Sequence, residues 1–422
     1  MARVSGGVSI DTRTLQPGDV YIALRGERHD GHDFVAAALA AGAARAVVEH
    51  AQLERVRHAC GLAADSERLE AVEDTLRALQ ARAAAARQAW NGPLVAITGS
   101  AGKTTTKEMI AAVLATRLNT LKSGGNLNNH IGVPLTLLRL RPEHEVAVVE
   151  MGMNHAGEIA ALAALAAPDV GVYTNVGNAH VGNFDSIEGV AAAKRELAQS
   201  IAGARGHRAP GPALVLNAGD GRVAGFGAGF PGRVVMYRGS DGAQANAAAA
   251  LATGELFGVA RDAGRAALAA MPPLAGRGAV LQRHGMTLID DTYNANPEAM
   301  AHMLGVLMRT PGQRHIAVLG EMRELGAASA ALHRELGAHL AALVPAPDLL
   351  VAVAGDARFL AEGATQAGLA PVYFTGDALQ AAALLQNLLR PGDTVLFKGS
   401  RAVTLESALA WVTDHPLDGP AV

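Results

Sequence analysis

The chain is poor in several things that would direct its reading elsewhere. It has one cysteine, Cys60, among 422 residues. That excludes an internal disulfide and any cysteine-based zinc cluster. Aromatic residues make up 4%, so the cores must be built from Ala, Val and Leu. Neither charge sign dominates. A net charge of −3 with both signs dispersed leaves no electrostatic footprint for nucleic acid or an anionic membrane. There is no long apolar run: Ile159 to Pro168 is among the longest and is far too short to span a bilayer. MARVSGGVSIDTR has no apolar segment of the signal-peptide kind. These absences lead to the expectation of a cytoplasmic protein with no membrane insertion and no nucleic-acid partner.

What is present is glycine, 48 residues, and a repeated alternation of short apolar runs with helical stretches. Leu94 to Glu108 reads LVAITGSAGKTTTKE. Leu94 to Ile97 is a buried strand, Gly99 to Gly102 a turn only small residues allow, and Lys103-Thr104-Thr105 the start of a helix. A strand, a glycine-rich turn and a helix N-terminus make a phosphate cradle of backbone N–H groups and helix dipole. Lys103 would reach the β- and γ-phosphates, and the Thr104 hydroxyl would ligate Mg²⁺. Ile97 stands where the full pattern G-x-x-x-x-G-K-[ST] has its first glycine.

The rest of the chain falls into an expected order. Residues 1–73 form a small α/β unit with strands at Val8–Arg13, Val20–Leu24 and Ala46–Glu49 and a helix at Phe34–Ala41. A helix over Val72–Trp90 opens a second domain, 74–270. Here Val146–Val149, Asp169–Thr174 and Ala213–Asn217 are continuous apolar strands, which implies a parallel sheet covered on both faces. Ligands bind at the carboxyl ends of such strands, where Lys103, Glu150, Asn175 and His180 fall. The stretch from Ala218 to Gln244 is glycine-rich and shows no clear strand. From about Met271 a second alternating set forms a Rossmann-like domain, 271–422. The fold class is therefore α/β in three domains.

Glu150, at a strand end beside the phosphate-loop strand, suits Mg²⁺, which takes hard oxygen ligands. As an isolated residue His180 reads equally well as a structural or a functional group, and Lys194, on a helix among Ala191 to Ala193, reads as a surface lysine. Asp290 reads equally well as a helix-terminal cap. The polar set Asp11, Arg13 and Arg25 alone reads as solvated loop.

Several segments together carry a resemblance. TGSAGKTTTKEM, GNLNNHIGVPLTLL, AVVEMGMNHAGEI, NVGNAHVGNF, AAAKRE, DDTYNANP, LGEMRELG and KGSR, in that order, resemble the Mur ligases over nearly the whole chain. Within that family the similarity is greatest to members that join D-alanyl-D-alanine to UDP-MurNAc-tripeptide. The resemblance implies an ATP-dependent amide ligase that works through an acyl phosphate with two Mg²⁺ ions. It implies that Gly99, Ser100, Gly102, Lys103, Thr104 and Thr105 hold the phosphates, with Asn246, Asp290 and Asn294 on the nucleotide side. Thr104, Glu150, His180 and Lys194 would serve the metals, Lys194 as a carbamylated lysine; Lys103, Lys194 and His180 would be catalytic. Asp11, Arg13, Arg25, Asn128, Asn129, Asn154, His155, Lys398, Ser400 and Arg401 would face the substrates. One departure is that Ser240-Asp241-Gly242-Ala243 stands where the family carries a Gly-Arg-His-Asn-like segment. A different Mur-type amino-acid ligase, or a phosphate-loop ATPase switch without ligation, is the alternative. The expected state is a monomer. Whether the third peptide residue is meso-diaminopimelate or lysine stays open.

Overall fold

The computed structural model describes residues 6–26, 29–177, 181–184, 186–204, 208–240 and 242–415. Three sheets organise it. The first contains β1 (Val8–Ser9), β2 (Val20–Ile22), β3 (Arg45–Glu49) and β4 (Leu69–Val72), all parallel in that order. The second contains β5 (Leu94–Thr98), β6 (Thr120–Lys122), β7 (Val146–Glu150), β8 (Val170–Tyr173), β9 (Ala213–Asn217) and β10 (Arg233–Tyr237). Its order is β10-β9-β8-β5-β7-β6, parallel throughout. The third contains β11 (Ala279–Arg283), β12 (Met286–Asp291), β13 (Arg314–Gly320), β14 (Leu349–Val353), β15 (Val372–Thr375) and β16 (Asp393–Lys398), in the order β11-β12-β16-β13-β14-β15. Only β11 runs antiparallel there.

The unbroken apolar runs have a simple cause. Alternate residues of a strand point to opposite faces, and both faces are covered. In the second sheet Val95, Ile97, Val146, Val148, Val170, Val172 and Val215 pack with Ile110, Val113 and Leu114 of the helix Lys103–Leu114 and with Ala249 and Ala250 of the helix Gly242–Leu256. In the third sheet Leu288, Ile316, Val351 and Phe397 enter one core, and Ile289, Ala317, Leu350 and Leu396 enter another.

Two expectations are corrected. The stretch read as unpatterned contains β10, paired in register with β9 from Arg233–Ala213 to Tyr237–Asn217. It is an edge strand with Val234 and Met236 exposed, so it lacks the continuous burial that marks its neighbours. The helix expected from Val72 starts at Thr75, because Asp74 caps it by accepting the Arg77 N–H at 2.9 Å, and Val72 belongs to β4. Leu79 of that helix packs with Ile22 and Val47 of the first sheet and with Ile131, Leu135 and Leu138.

The chain divides into two compact units. One comprises Met1–Gly99, Thr106–Thr174 and Ala193–Leu268 and holds the first two sheets. The other comprises Ser100–Thr105, Asn175–Ala192 and Ala269–Val422 and holds the third.

A buried charge cluster ties the amino ends of β5 and β8. Asp169 is fully buried and accepts the Leu94 N–H at 2.9 Å and the Arg208 N–H at 2.8 Å. The Arg87 guanidinium lies 3.5 Å from the same carboxylate and donates to the carbonyls of Ala166 (2.6 Å) and Ala167 (3.0 Å). Burial, reinforced by the charge of Arg208, lowers the Arg87 pKa to about 10, and Asp169 opposes the shift. Removing one member of a buried pair leaves its partner uncompensated. Asp169→Ala is therefore expected to cost about 3–5 kcal/mol, read as a lower urea midpoint of the tryptophan fluorescence transition. An unchanged midpoint would show that the cluster carries no stability.

Candidate functional site

β5 ends at Thr98, and the chain turns through Gly99 and Gly102 into the helix Lys103–Leu114. Gly102 has φ +79° and Gly99 φ +152°, regions that a side chain would strain. The turn is held by one asparagine. Asn175 accepts the Ser100 N–H with its backbone carbonyl at 2.9 Å and the Ala101 N–H with Oδ1 at 2.8 Å. Its Nδ2 donates to the Ala101 carbonyl at 3.2 Å. The Ser100 hydroxyl donates to the Gly177 carbonyl (3.2 Å) and accepts the Gly177 N–H (2.9 Å). Lys103 Nζ donates to the Ser100 carbonyl at 3.3 Å, lying back along the loop that it closes. Thr104 is buried and Thr105 is half-buried. A helix N-terminus placed after such a turn presents its dipole and N–H groups to an anion.

Glu150 ends β7, next to β5, and pairs in register with Ile97. It is buried, and its Oε1 accepts from Asn128 Nδ2 at 2.8 Å. Lys194 is also buried, on the helix Ile187–Gly203. His180 lies outside the described residues. Among the described residues no group of three or more His, Cys, Asp or Glu could hold a metal ion. The donors that are present, a threonine hydroxyl and a carboxylate, are hard oxygens of the kind Mg²⁺ takes alongside substrate phosphates and water. Thr98 Oγ1, at the strand end leading into the loop, is buried without a hydrogen-bond partner. An orphaned hydroxyl is costly in a core and fits a polar ligand near the strand ends. The residues therefore fit a nucleotide with magnesium.

Other expected site residues are placed as follows. Asn246 Oδ1 accepts from the Thr106 hydroxyl at 3.1 Å, joining the helix Gly242–Leu256 to the phosphate-loop helix. Asp11 and Arg13 form an exposed fork pair with a closest approach of 2.6 Å. The Arg13 side-chain bonds hold the Asp11 pKa at about 2. Arg25 is anchored to Glu49 at 2.8 Å. Asn129 Oδ1 accepts the N–H groups of Ile131 and Gly132. The Asn154 N–H and the His155 ring both contact Glu158. Asn129 and Glu158 line a cavity of about 360 Å³ together with Gln80, His130, Gly152 and Leu162.

In the second unit Lys398 Nζ reaches the Asp291 carboxylate and the Asn294 carbonyl. Ser400 Oγ accepts the Arg323 N–H at 2.9 Å. Arg401 pairs with Glu406 at 3.1 Å and lies 5.7 Å from the Tyr293 ring. The Asp290 carboxylate accepts from Gly276 N–H at 2.7 Å and from the Thr292 hydroxyl at 2.7 Å. It organises its own turn and does not cap a helix; that cap is Asn296, which accepts the Ala299 N–H.

Comparison with known proteins agrees with this layout. The family model described as "Mur ligase family, catalytic domain" matches residues 5–113, the Mur ligase middle domain matches 97–262, and "Mur ligase, glutamate ligase domain" matches 276–401. The UDP-N-acetylmuramoyl-tripeptide--D-alanyl-D-alanine ligase of Synechocystis sp. is 36% identical over 431 residues, covering 96% of this chain and 91% of the relative. This chain belongs to the Mur ligase family. The ligase of the same name from Escherichia coli is 36% identical, covering 95% of this chain and 92% of the relative. Among solved structures, MurF from Acinetobacter baumannii is 31% identical with a TM-score of 0.81, covering 97% of this chain and 93% of that one. MurF ligase from Thermotoga maritima, in complex with ADP, is 28% identical with a TM-score of 0.80, covering 98% and 99%.

For a Mur ligase, the residue that sequence reasoning underrated is Asn175. Its position at a strand end was visible, but its three hydrogen bonds to the loop are not a local pattern, since Ala101, which its side chain holds, lies 74 positions away. Asn175→Ala removes two side-chain bonds to Ala101 and is expected to raise the KM for ATP about tenfold, about 1.4 kcal/mol. Steady-state kinetics with circular dichroism as a fold control decides this; an unchanged KM would mean the loop holds its shape without the clamp.

Proposed function

We infer that the chain is an ATP-dependent ligase that forms the amide between UDP-N-acetylmuramoyl-tripeptide and D-alanyl-D-alanine in peptidoglycan precursor synthesis. The observation that carries this is the near-full-length identity to ligases of that name combined with the phosphate turn held by Asn175. In the reaction the tripeptide's terminal carboxylate takes the γ-phosphoryl group and ADP leaves. The amine of D-alanyl-D-alanine then attacks the acyl carbon and expels phosphate, with loss of a proton from the nitrogen.

The residues have separable tasks. Lys103 and the loop N–H groups bind and orient the phosphates, fixing the line of attack. Thr104 and Glu150 would hold a first Mg²⁺, and His180 and Lys194 a second. When bound, magnesium screens the repulsion between the carboxylate and the γ-phosphate. Lys194 is 1% exposed, and the resemblance to the Mur ligases marks its position as that of the family's carbamylated lysine. Addition of CO₂ to its neutral amine, with release of a proton, gives a carbamate whose single negative charge is shared by two oxygens, the form we assign to it. Asn246, Asp290 and Asn294 are assigned to the nucleotide side. Asp11, Arg13, Arg25, Asn128, Asn129, Asn154 and His155 are assigned to the UDP-precursor, and Lys398, Ser400 and Arg401 to the peptide end. We take the domains as 1–73, 74–270 and 271–422, and the enzyme as a cytoplasmic monomer; no described helix is long and apolar enough to cross a membrane.

Phosphate release from ATP with UDP-MurNAc-tripeptide is expected to stay near background until D-alanyl-D-alanine is added. Release that ignores the dipeptide would refute ligation and favour an ATPase switch. Running the meso-diaminopimelate and lysine tripeptides side by side identifies the precursor. Lys194→Ala is expected to lose at least a hundredfold in kcat, about 2.7 kcal/mol, and to recover partly with added formate or acetate. Full activity in that variant would sink the metal-bridging role.

A further inference from the structure

Lys107 is fully buried on the phosphate-loop helix. It lies four residues after Lys103 and three after Thr104, so the helix turns all three to a common face. Its Nζ donates to the Gly125 carbonyl at 2.9 Å, lies 3.2 Å from Glu108 Oε1 and 3.9 Å from Glu150 Oε2. Glu108 is also paired with Lys122. Two ammonium groups and two carboxylates thus alternate, with Glu150 at one end of the row. The Glu150 backbone N–H donates to Ser123 Oγ at 3.2 Å, and Asn128 holds its Oε1. Packing alone does not require charges here, because apolar residues of similar volume often replace a whole buried ion pair at no cost.

We propose that Lys107 is an internal counter-ion for Glu150. It supplies positive charge to the carboxylate when no nucleotide is bound, so that Glu150 does not collect a free divalent cation. The cation then enters with nucleotide, whose phosphates add the anionic charge that outweighs the lysine. This rests on the assignment of Glu150 to the magnesium site. The physical basis is that a fixed unit charge this close to a carboxylate, shielded from water, opposes a divalent ion strongly.

The test is Mn²⁺ titration of the full chain, with free Mn²⁺ followed by electron paramagnetic resonance. In the wild-type protein, Mn²⁺ alone is expected to bind at least a hundredfold more weakly than Mn²⁺ with ADP. Lys107→Met and Lys107→Gln are each expected to tighten binding of Mn²⁺ alone at least tenfold. Lys107→Arg, which keeps the charge, and Glu108→Gln, which frees Lys107 for Glu150, are expected not to. Adding Glu150→Gln to Lys107→Met should abolish the gain. Unchanged or weaker binding in the neutral variants, or equal tightening in Lys107→Arg, would overturn the proposal, as would tightening that survives loss of Glu150. Should the neutral variants not fold, the wild-type comparison still decides, since equal Mn²⁺ affinity with and without ADP contradicts it. Dipeptide-dependent phosphate release, measured separately on the wild-type protein, reports on the ligase reading, so the two can fail independently.

Discussion

Parallel sheets with both faces covered leave one place for chemistry. In β5, β7, β8 and β9 the side chains between the strand ends are buried, and their backbone groups are paired with neighbouring strands. Polar function must therefore gather where strands stop. Because every strand of the central sheet runs the same way, the carboxyl ends all lie on one edge. The phosphate turn after β5, Glu150 at the end of β7 and the Asn175 segment after β8 follow from that single constraint.

The two edges of the central sheet are used differently. At the amino edge Asp169 collects the N–H groups of Leu94 and Arg208 and the charge of Arg87. These contacts hold strands and helix together. At the carboxyl edge, charges are held in reserve. Glu150 is oriented by Asn128 and faced by Lys107, and the loop ahead of Lys103 is shaped by a side chain far away in sequence. A ligase that activates a carboxylate with ATP needs such preorganisation, since the donors must be aimed before the charge develops.

Much of this was legible in the residues. The strand–turn–helix at Leu94–Glu108 announced itself through composition, as did Ala213–Asn217, because each is decided by local sequence. The edge strand β10 was not, since its exposed Val234 and Met236 break the pattern of continuous burial and glycines flank it. β4 merged with the helix that follows, because Val72 reads equally well in either element. Asp290 was readable as a cap or a ligand-facing group, and the fold gives it a third task, organising the turn at Gly276 and Thr292. For Lys194 the sequence alone favoured a surface lysine; family resemblance reversed that, and its burial agrees with the reversal.

By itself the sequence determined that this is an α/β chain of close-packed βα units, with a strand, glycine turn and helix start at Lys103 and the succession of segments that marks a Mur ligase. Periodicity and small turn residues act over a few positions, so a linear reading captures them. Only the tertiary structure decided which side chains serve one another: Asn175 with Ala101, Asn128 with Glu150, Lys107 with both Gly125 and Glu150, Asp169 with Arg87. Those pairings depend on strand order, β8-β5-β7 rather than β5-β6-β7, and strand order is set by how helices cross over the sheet. No local pattern carries that information.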